Sequence, residues 1–520
     1  MKKIMTRLLS LVLLGTFIPS FVLAADWDLD KGSITVSATV ESQTVSQAGG
    51  SPTVDSNPVI TSSSGKTENT VTITAEKNAT ANVTLENVNI DTGKTGGAAI
   101  TTSGEGNVNI ELNGTNTVQS GNTHAGVEKK DNGTLTITDE DKDGSLTATG
   151  GYRGAGIGGG EGGSGSNITI EGGKVNANGG YLGAGIGGGL GGSGSNIAIE
   201  GGKVEARSSG GGAGIGGGSS ANGFGGSGSN ITVSGGEVTA QGGVGGAGIG
   251  GGQGGSGSNI TISDGKVTAA GAGAGAGIGG GYEGSGNGIT IEGGEVTAQG
   301  DTGGAGIGGG ISGTGSDVTI SGDAQVKVQG GTTGRDWHKG AAIGNGGTPT
   351  TEGNEVSPNT SDLTVEGSIQ IYEPGKNINT DTPDRTIEGQ KGDHSWNAGE
   401  VTTPATCTAP GVRTYTCTKN PAHTRTEPIP ALNHQFGAYT YNNDATCTQD
   451  GTETAKCERC NETDTRTVKG TKLTEHTAET VPESKAAAYW VCDSQGQSIP
   501  YQAQQKDGVL TVTVQADTAS

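Results

Sequence analysis

The residues in this 520-residue chain best suited to chemistry are near its C-terminal end, where all six cysteines fall beyond Trp396. They lie in two copies of a small unit. Each copy begins with a histidine, His394 or His434, and a cysteine follows 13 residues later, with another 10 residues after that. In the second copy His434, Cys447, Cys457 and Cys460 offer one imidazole and three thiols, and Cys457-x-x-Cys460 has the bite that lets two sulfurs reach one tetrahedral zinc ion. The first copy has Asn420 where the third cysteine would fall, which leaves His394, Cys407, Cys417 and His423. The same thiols also suit Cys407–Cys417 and Cys447–Cys457 disulfides, with Cys460 then free or joined to Cys492, and export favours that state. Spacing alone does not choose between the two.

A second candidate is Asp139-Glu140-Asp141-Lys142-Asp143-Gly144. Carboxylates at positions 1, 3 and 5 with glycine at 6 match the opening half of a calcium loop, so Asp139, Asp141 and Asp143 are possible calcium ligands. Position 12 is Gly150 where a glutamate is needed, and any site must borrow ligands from elsewhere. The third is Arg335-Asp336-Trp337-His338-Lys339, a charged and aromatic loop on the same expected edge as Tyr152-Arg153 and Tyr181-Leu182. Aromatic faces beside hydrogen-bonding heads suit a sugar, so Tyr152, Arg153, Tyr181, Arg335, Trp337, His338 and Lys339 form the candidate carbohydrate site. No Ser/His/Asp set or nucleophile elbow is present. Gly154, Gly156 and Gly159 satisfy G-x-G-x-x-G, but the motif recurs in copy after copy with no helix, which removes the dinucleotide reading.

What must position these residues is a repeat. From Tyr152 to Gly330 an apolar residue returns at intervals of 11, 7 and 11, giving a period of 29. The first beat falls at Ile157, Ile186, Ile215, Ile249, Ile278 and Ile307, inside Gly-Ala-Gly-Ile-Gly-Gly-Gly, with weaker copies at Ile100, Val127 and Ile343. The second lies in Asn-Ile-Thr-Ile segments and the third in Val segments. A unit this short cannot bury its own apolar side, so the copies must stack, three β segments to a coil. Nine coils at ~4.8 Å make a stack roughly 40 Å long. Alternation within Asn-Ile-Thr-Ile predicts an inward Ile ladder and an outward column of Thr169, Thr232, Thr261, Thr290 and Thr319, broken by Ala198. The glycine segment, with almost no side chains, is expected to form a bare, nearly flat strip. Insertions around residues 221–224 and 335–337 fall between beats, which a flexible glycine linker would have no reason to respect, even with 105 glycines in the chain.

The expected organisation is a signal peptide over 1–24, a cap with irregular first coils over 25–90, and the glycine-rich coils over 91–372. A linker at 373–393 follows, then cysteine modules at 394–433 and 434–476 and a degenerate third at 477–520. Leu363 to Tyr372 reads as a closing strand pair. Lys2, Lys3 and Arg7 precede an apolar stretch ending at Val22-Leu23-Ala24, the pattern of a secretory signal cut after Ala24. Its loss takes the formal charge from -22 to -25, which argues against nucleic acid as a partner. No later segment approaches the ~20 apolar residues of a membrane span.

Asn82-Val83-Thr84-Leu85, Gly97-Ala98-Ala99-Ile100, Leu135-Thr136-Ile137, Gly144-Ser145-Leu146 and Gly154-Ala155-Gly156-Ile157 resemble bacterial carbohydrate-binding right-handed β-helix proteins related in fold to pectate lyases. The resemblance implies an all-β, right-handed parallel β-helix and a polysaccharide or host or cell-wall glycan as partner, with calcium as a possible aid. The stretch from Trp396 to His476, with Ala-Thr-Cys-Thr, Gly and Tyr-Thr-Cys, resembles the small Cys-rich repeats of bacterial surface proteins. The expectation is a secreted or surface β-solenoid that binds carbohydrate or mediates adhesion without catalysis. A polysaccharide lyase and a purely structural array, including one that meets ice with its Thr column, are the alternatives.

Overall fold

The computed structural model describes residues 26–520 apart from 131, 221–222, 334–337, 356–362, 389–396, 417–423, 446–448, 461, 472–500, 507–508 and 515–520. The signal segment, Arg335, Trp337, Cys417 and Cys447 lie outside the described residues. The chain divides into two units, Met1–Gly392 and Asp393–Ser520.

The first unit is a parallel β-helix whose coils build three long sheets of 12, 11 and 13 strands. The beat read from the sequence is the ladder of the structure: Ile157 pairs with Ile186, Ile186 with Ile215, and the series continues through Ile249, Ile278 and Ile307 to Ile343. Toward the N-terminus it passes Val127, Ile100 and Val71 to Ile34, farther than the nine expected coils. These residues are buried and belong to one continuous apolar core. The outward column also holds, since Thr169, Ala198, Thr232, Thr261, Thr290 and Thr319 are consecutive register partners. The Val segments stack likewise, with Val175, Val204, Val238, Val267 and Val296 inside.

Both ends of the stack close with antiparallel strands, which cover edges that would otherwise template further pairing. Gln43–Gln47 folds back on Ile34–Ala38 at one end. At the other, Arg385–Glu388 folds onto Ser368–Tyr372. Leu363–Val365 and Ser368–Tyr372 are therefore not a closing pair; each extends a parallel ladder, on Val318–Ile320 and Gln325–Gln329 respectively. The closing strand comes from within the segment expected to be a linker.

The glycine segment is not a flat strip. Its regular part is two residues long, as in Ile157–Gly158, and the Ala155 N–H donates to the Gly159 carbonyl at 2.9 Å, which pinches the chain into a narrow loop. Gly158 makes this possible at φ +131°, a conformation closed to side-chain-bearing residues. A Cβ there would lie 2.1 Å from the Gly187 carbonyl oxygen of the next coil. The pinch brings the turn before each Ile beside the turn after it, and the Leu190 N–H donates to the Arg153 carbonyl at 2.8 Å. That makes a single edge carrying two adjacent columns of turn residues.

The second unit holds two three-stranded antiparallel sheets, spanning Glu400–Ile429 and Thr440–Thr467, and a hairpin of Tyr501–Lys506 with Val509–Val514. Among the residues of the two three-stranded sheets whose burial is described, the buried apolar set is Cys407, Ala445, Ala455 and Cys457.

Candidate functional site

The pinched edge carries the aromatic residues singled out in the sequence. Tyr152 and Tyr181 occupy the same place in consecutive coils, five residues before the paired Ile157 and Ile186. Their rings stack at 5.2 Å between centroids and 9° between planes, and each is about half exposed. The Tyr181 ring overlies Gly210 of the following coil, where a Cβ would meet its Cδ2 at 2.7 Å. Arg153 and Glu161 form an ion pair across the neck of the same loop.

A polar cluster that sequence reasoning missed adjoins this pair. Glu128 is buried, accepts from His124 Nδ1 at 2.5 Å, and pairs with Lys130 at 2.8 Å. The Gly151 N–H donates to the His124 carbonyl and the Arg153 N–H to the Asn122 carbonyl, both at 2.9 Å, so the cluster lies one coil from Tyr152. Its signal in the sequence is the register: Glu128 pairs with Gly158, so charged side chains replace the glycines of the next coil.

His338 and Lys339 are on the same edge but not beside the tyrosines. Five register steps separate Ile186 from Ile343, and His338 stands five residues before Ile343, so roughly 24 Å lies between Tyr181 and His338 at ~4.8 Å per coil. The equivalent places between them hold Gly210, Val244, Gly273 and Thr302. Lys339 faces Glu373 at 3.4 Å and Glu352 at 3.6 Å, and these carboxylates, Glu373 foremost, hold its ammonium above the usual lysine range. The described members of the expected carbohydrate set thus fall into two groups, Tyr152, Arg153 and Tyr181 in one and His338 and Lys339 in the other. A separate groove of about 590 Å³ runs over the outer face of the Val sheet, lined by Lys266, Glu295, Thr297, Lys327 and Gln370 among others.

At the expected calcium loop, Asp139 and Asp141 converge with Glu111 rather than with Asp143. Glu111 comes from the previous coil, where its register partner is Thr138, and this places it over the loop. Much of the group's capacity is used internally, since Asp139 accepts from the Gly144 N–H at 3.1 Å and Glu111 from the Glu140 N–H at 2.8 Å. Asp143 lies against Asp141. Burial, then the Asp143 and Asp139 carboxylates, push Asp141 above its ordinary value.

In the second unit His434, Cys457 and Cys460 come together with Cys407 from the preceding module; Cys447, expected among them, lies outside the described residues. Cys407, left by the sequence as a disulfide partner of Cys417 or a ligand within its own module, is a free thiol 3.8 Å from the Cys457 sulfur, and Cys417 lies outside the described residues. Backbone contacts bring it there, because the Leu432 N–H donates to the Thr406 carbonyl at 2.9 Å just before His434. Burial, then the neighbouring Cys460 and Cys457 sulfurs, raises Cys407 to about 12. Burial also pushes Cys457 upward, but the Arg459 N–H, then the His434 ring, outweigh it and bring Cys457 to about 6.

Comparison with known proteins agrees with the stacked coils. The Beta helix repeat family model matches residues 142–161, 168–190, 197–219, 231–253, 260–282 and 289–311. No curated protein and no solved structure matches the chain.

Proposed function

We propose that this chain is an exported, non-catalytic surface β-helix that binds a glycan along its pinched edge, at the end marked by His124, Tyr152, Arg153 and Tyr181. The observation that carries the reading is the stacked, half-exposed Tyr152–Tyr181 pair. Exposed tyrosine rings held in register by the coils offer a rigid apolar surface at little entropic cost, while Arg153 and the His124–Glu128 pair supply donors and acceptors one coil away. A stacked aromatic pair beside a charge-paired carboxylate is what a sugar ring and its hydroxyls could use. The Thr column offers only small hydroxyls with nothing to stack on.

The test is affinity electrophoresis of the full chain through gels containing plant or bacterial polysaccharides, with and without calcium. Wild type should be retarded by at least one glycan, and a Tyr152→Ala, Tyr181→Ala double variant should lose retention while keeping its far-ultraviolet spectrum, since exposed turn residues contribute little to the ladder. Retention unchanged in that variant but lost in a Thr232→Val, Thr261→Val, Thr290→Val triple variant would move the contact to the flat face and overturn the reading. Release of unsaturated sugar products would replace it with a lyase.

A further inference from the structure

We infer that Cys407, His434, Cys457 and Cys460 form a Cys3His zinc site that staples the two cysteine modules into one unit. The ligand atoms of these four residues all lie within 4.8 Å of one another. Zinc binds sulfur at about 2.3 Å and imidazole nitrogen at about 2.0–2.1 Å, so a tetrahedral site separates two sulfurs by about 3.8 Å and a sulfur from a nitrogen by about 3.6 Å. The Cys407 and Cys457 sulfurs are 3.8 Å apart, and the Cys460 sulfur is 3.4 Å from His434 Nδ1. A disulfide requires about 2.05 Å, so the thiol spacing fits a shared ion and not a bond.

Two further contacts have the form that metal ligands need. The Arg459 N–H donates to the Cys457 sulfur at 3.4 Å, a backbone bond that favours thiolate at the first cysteine of the Cys-x-x-Cys turn. His434 turns Nδ1 toward the sulfurs while Nε2 faces Glu462 at 3.6 Å, the carboxylate-on-imidazole arrangement that fixes a ligating ring. The Cys457 N–H donates to the Glu462 carbonyl at 2.8 Å and closes that turn. Arg459 Nη2 donates to Gln435 Oε1 at 2.7 Å, holding the turn against the segment that carries His434.

The need for a staple follows from burial. Among the residues of the two three-stranded sheets whose burial is described, Ala445 and Ala455 are the only buried apolar ones besides two of the ligands themselves. Domains with so little core rely on metals or disulfides. Binding would release thiol protons to solvent and leave three thiolates and one neutral imidazole on the ion, so affinity should fall in acid.

The experiment uses the full chain, prepared under reducing conditions and loaded with zinc or cobalt(II). One zinc per chain should be retained after dialysis, and cobalt should give the intense visible bands and sulfur charge-transfer absorption of a tetrahedral thiolate site. Cys407→Ser should lower metal affinity at least tenfold, while Cys407→His should keep the metal with weaker charge transfer. Cys447→Ser should have no effect. A Cys407 variant that keeps wild-type affinity while Cys447→Ser loses the metal would confine the site to one module and overturn the staple. A Cys407–Cys457 disulfide in peptides of the protein isolated from its own producing cells, or no retained metal in the loaded wild type, would overturn the zinc site itself. The far-ultraviolet signal of the β-helix should persist in both serine variants, because that unit does not contain these residues.

Discussion

Gly216→Ala tests the pinched coil most directly. Gly216 lies at φ +131°, and an added Cβ would sit 2.0 Å from the Gly250 carbonyl oxygen of the next coil. That oxygen already accepts from the Gly217 N–H at 2.9 Å, so it cannot retreat without breaking the ladder. Backbone strain of about 1–3 kcal/mol adds to overpacking of about 1–3 kcal/mol, for a loss of about 2–6 kcal/mol. Gly191→Ala is the control: its φ is +70° but nothing lies within 4 Å of the new Cβ, so only the left-handed cost of about 1–2 kcal/mol applies, partly offset by a less flexible unfolded chain. Urea unfolding followed by circular dichroism would compare the two, and amide exchange would locate the loss, since stacked repeats respond mostly through their neighbours. The exchange increase should centre on the coils of Ile215 and Ile249. Equal, small losses for both variants would refute the close stacking of Gly216 on Gly250.

Ile215→Ala should cost about 2–5 kcal/mol in the same urea assay, because Ile215 is fully buried between Ile186 and Ile249; an unchanged midpoint would mean the stacking register is wrong. Asp141→Asn, in calcium-free buffer, should stabilise the protein at neutral pH by a few tenths of a kcal/mol, the scale of a mostly exposed group. The sign follows from the raised carboxyl of Asp141: the folded state takes up that proton more readily than the unfolded chain, so stability is lost as pH rises from the unfolded value through the folded one. The gain should therefore vanish in acid, and a gain that grows as pH falls would contradict the crowding of Asp141 by Asp143 and Asp139.

The fold was legible because stacking converts a period into contacts. Once Ile157 and Ile186 are placed 29 residues apart, every residue between them acquires a neighbour, and the Thr column follows by alternation alone. Turn conformation does not follow. The asparagine of each Asn-Ile-Thr-Ile segment sits at positive φ, 57° at Asn167 and 51° at Asn196, Asn230 and Asn259, and its amide donates to the preceding coil's asparagine at 2.9–3.2 Å. That ladder reads in sequence as mere repetition, although asparagine is among the few side-chain-bearing residues that tolerate the left-handed region. The place of Cys407 in the cysteine–histidine cluster escaped for a different reason. Spacing suggested that each cysteine module completes its own site, yet the first, with Asn420 in place of a third cysteine, is short of a ligand and lends Cys407 to the second.

The candidate residues gather at the two ends of the glycine series, and the packing explains why. Within the series the coils approach so closely that Gly187, Gly216, Gly250 and Gly279 each leave a would-be Cβ 2.0–2.1 Å from the next carbonyl oxygen, so no side chain can enter. At the N-terminal boundary the preceding coil is an ordinary strand, Val127–Lys129, and its Glu128 side chain reaches the space beside Gly160, where a Cβ would stand 3.1 Å from the carboxylate carbon. His124 and Lys130 pair with that carboxylate. At the C-terminal boundary the insertion after Gly331 ends at His338 and Lys339, and Lys339 meets Glu352 and Glu373. Glycines that let the coils stack so tightly thus displace charged recognition chemistry to the places where that stacking begins and stops, and a glycan long enough to reach both would have to cross a stretch of edge carrying Val244 and Thr302 in one column of turns and Gln253 and Tyr282 in the other.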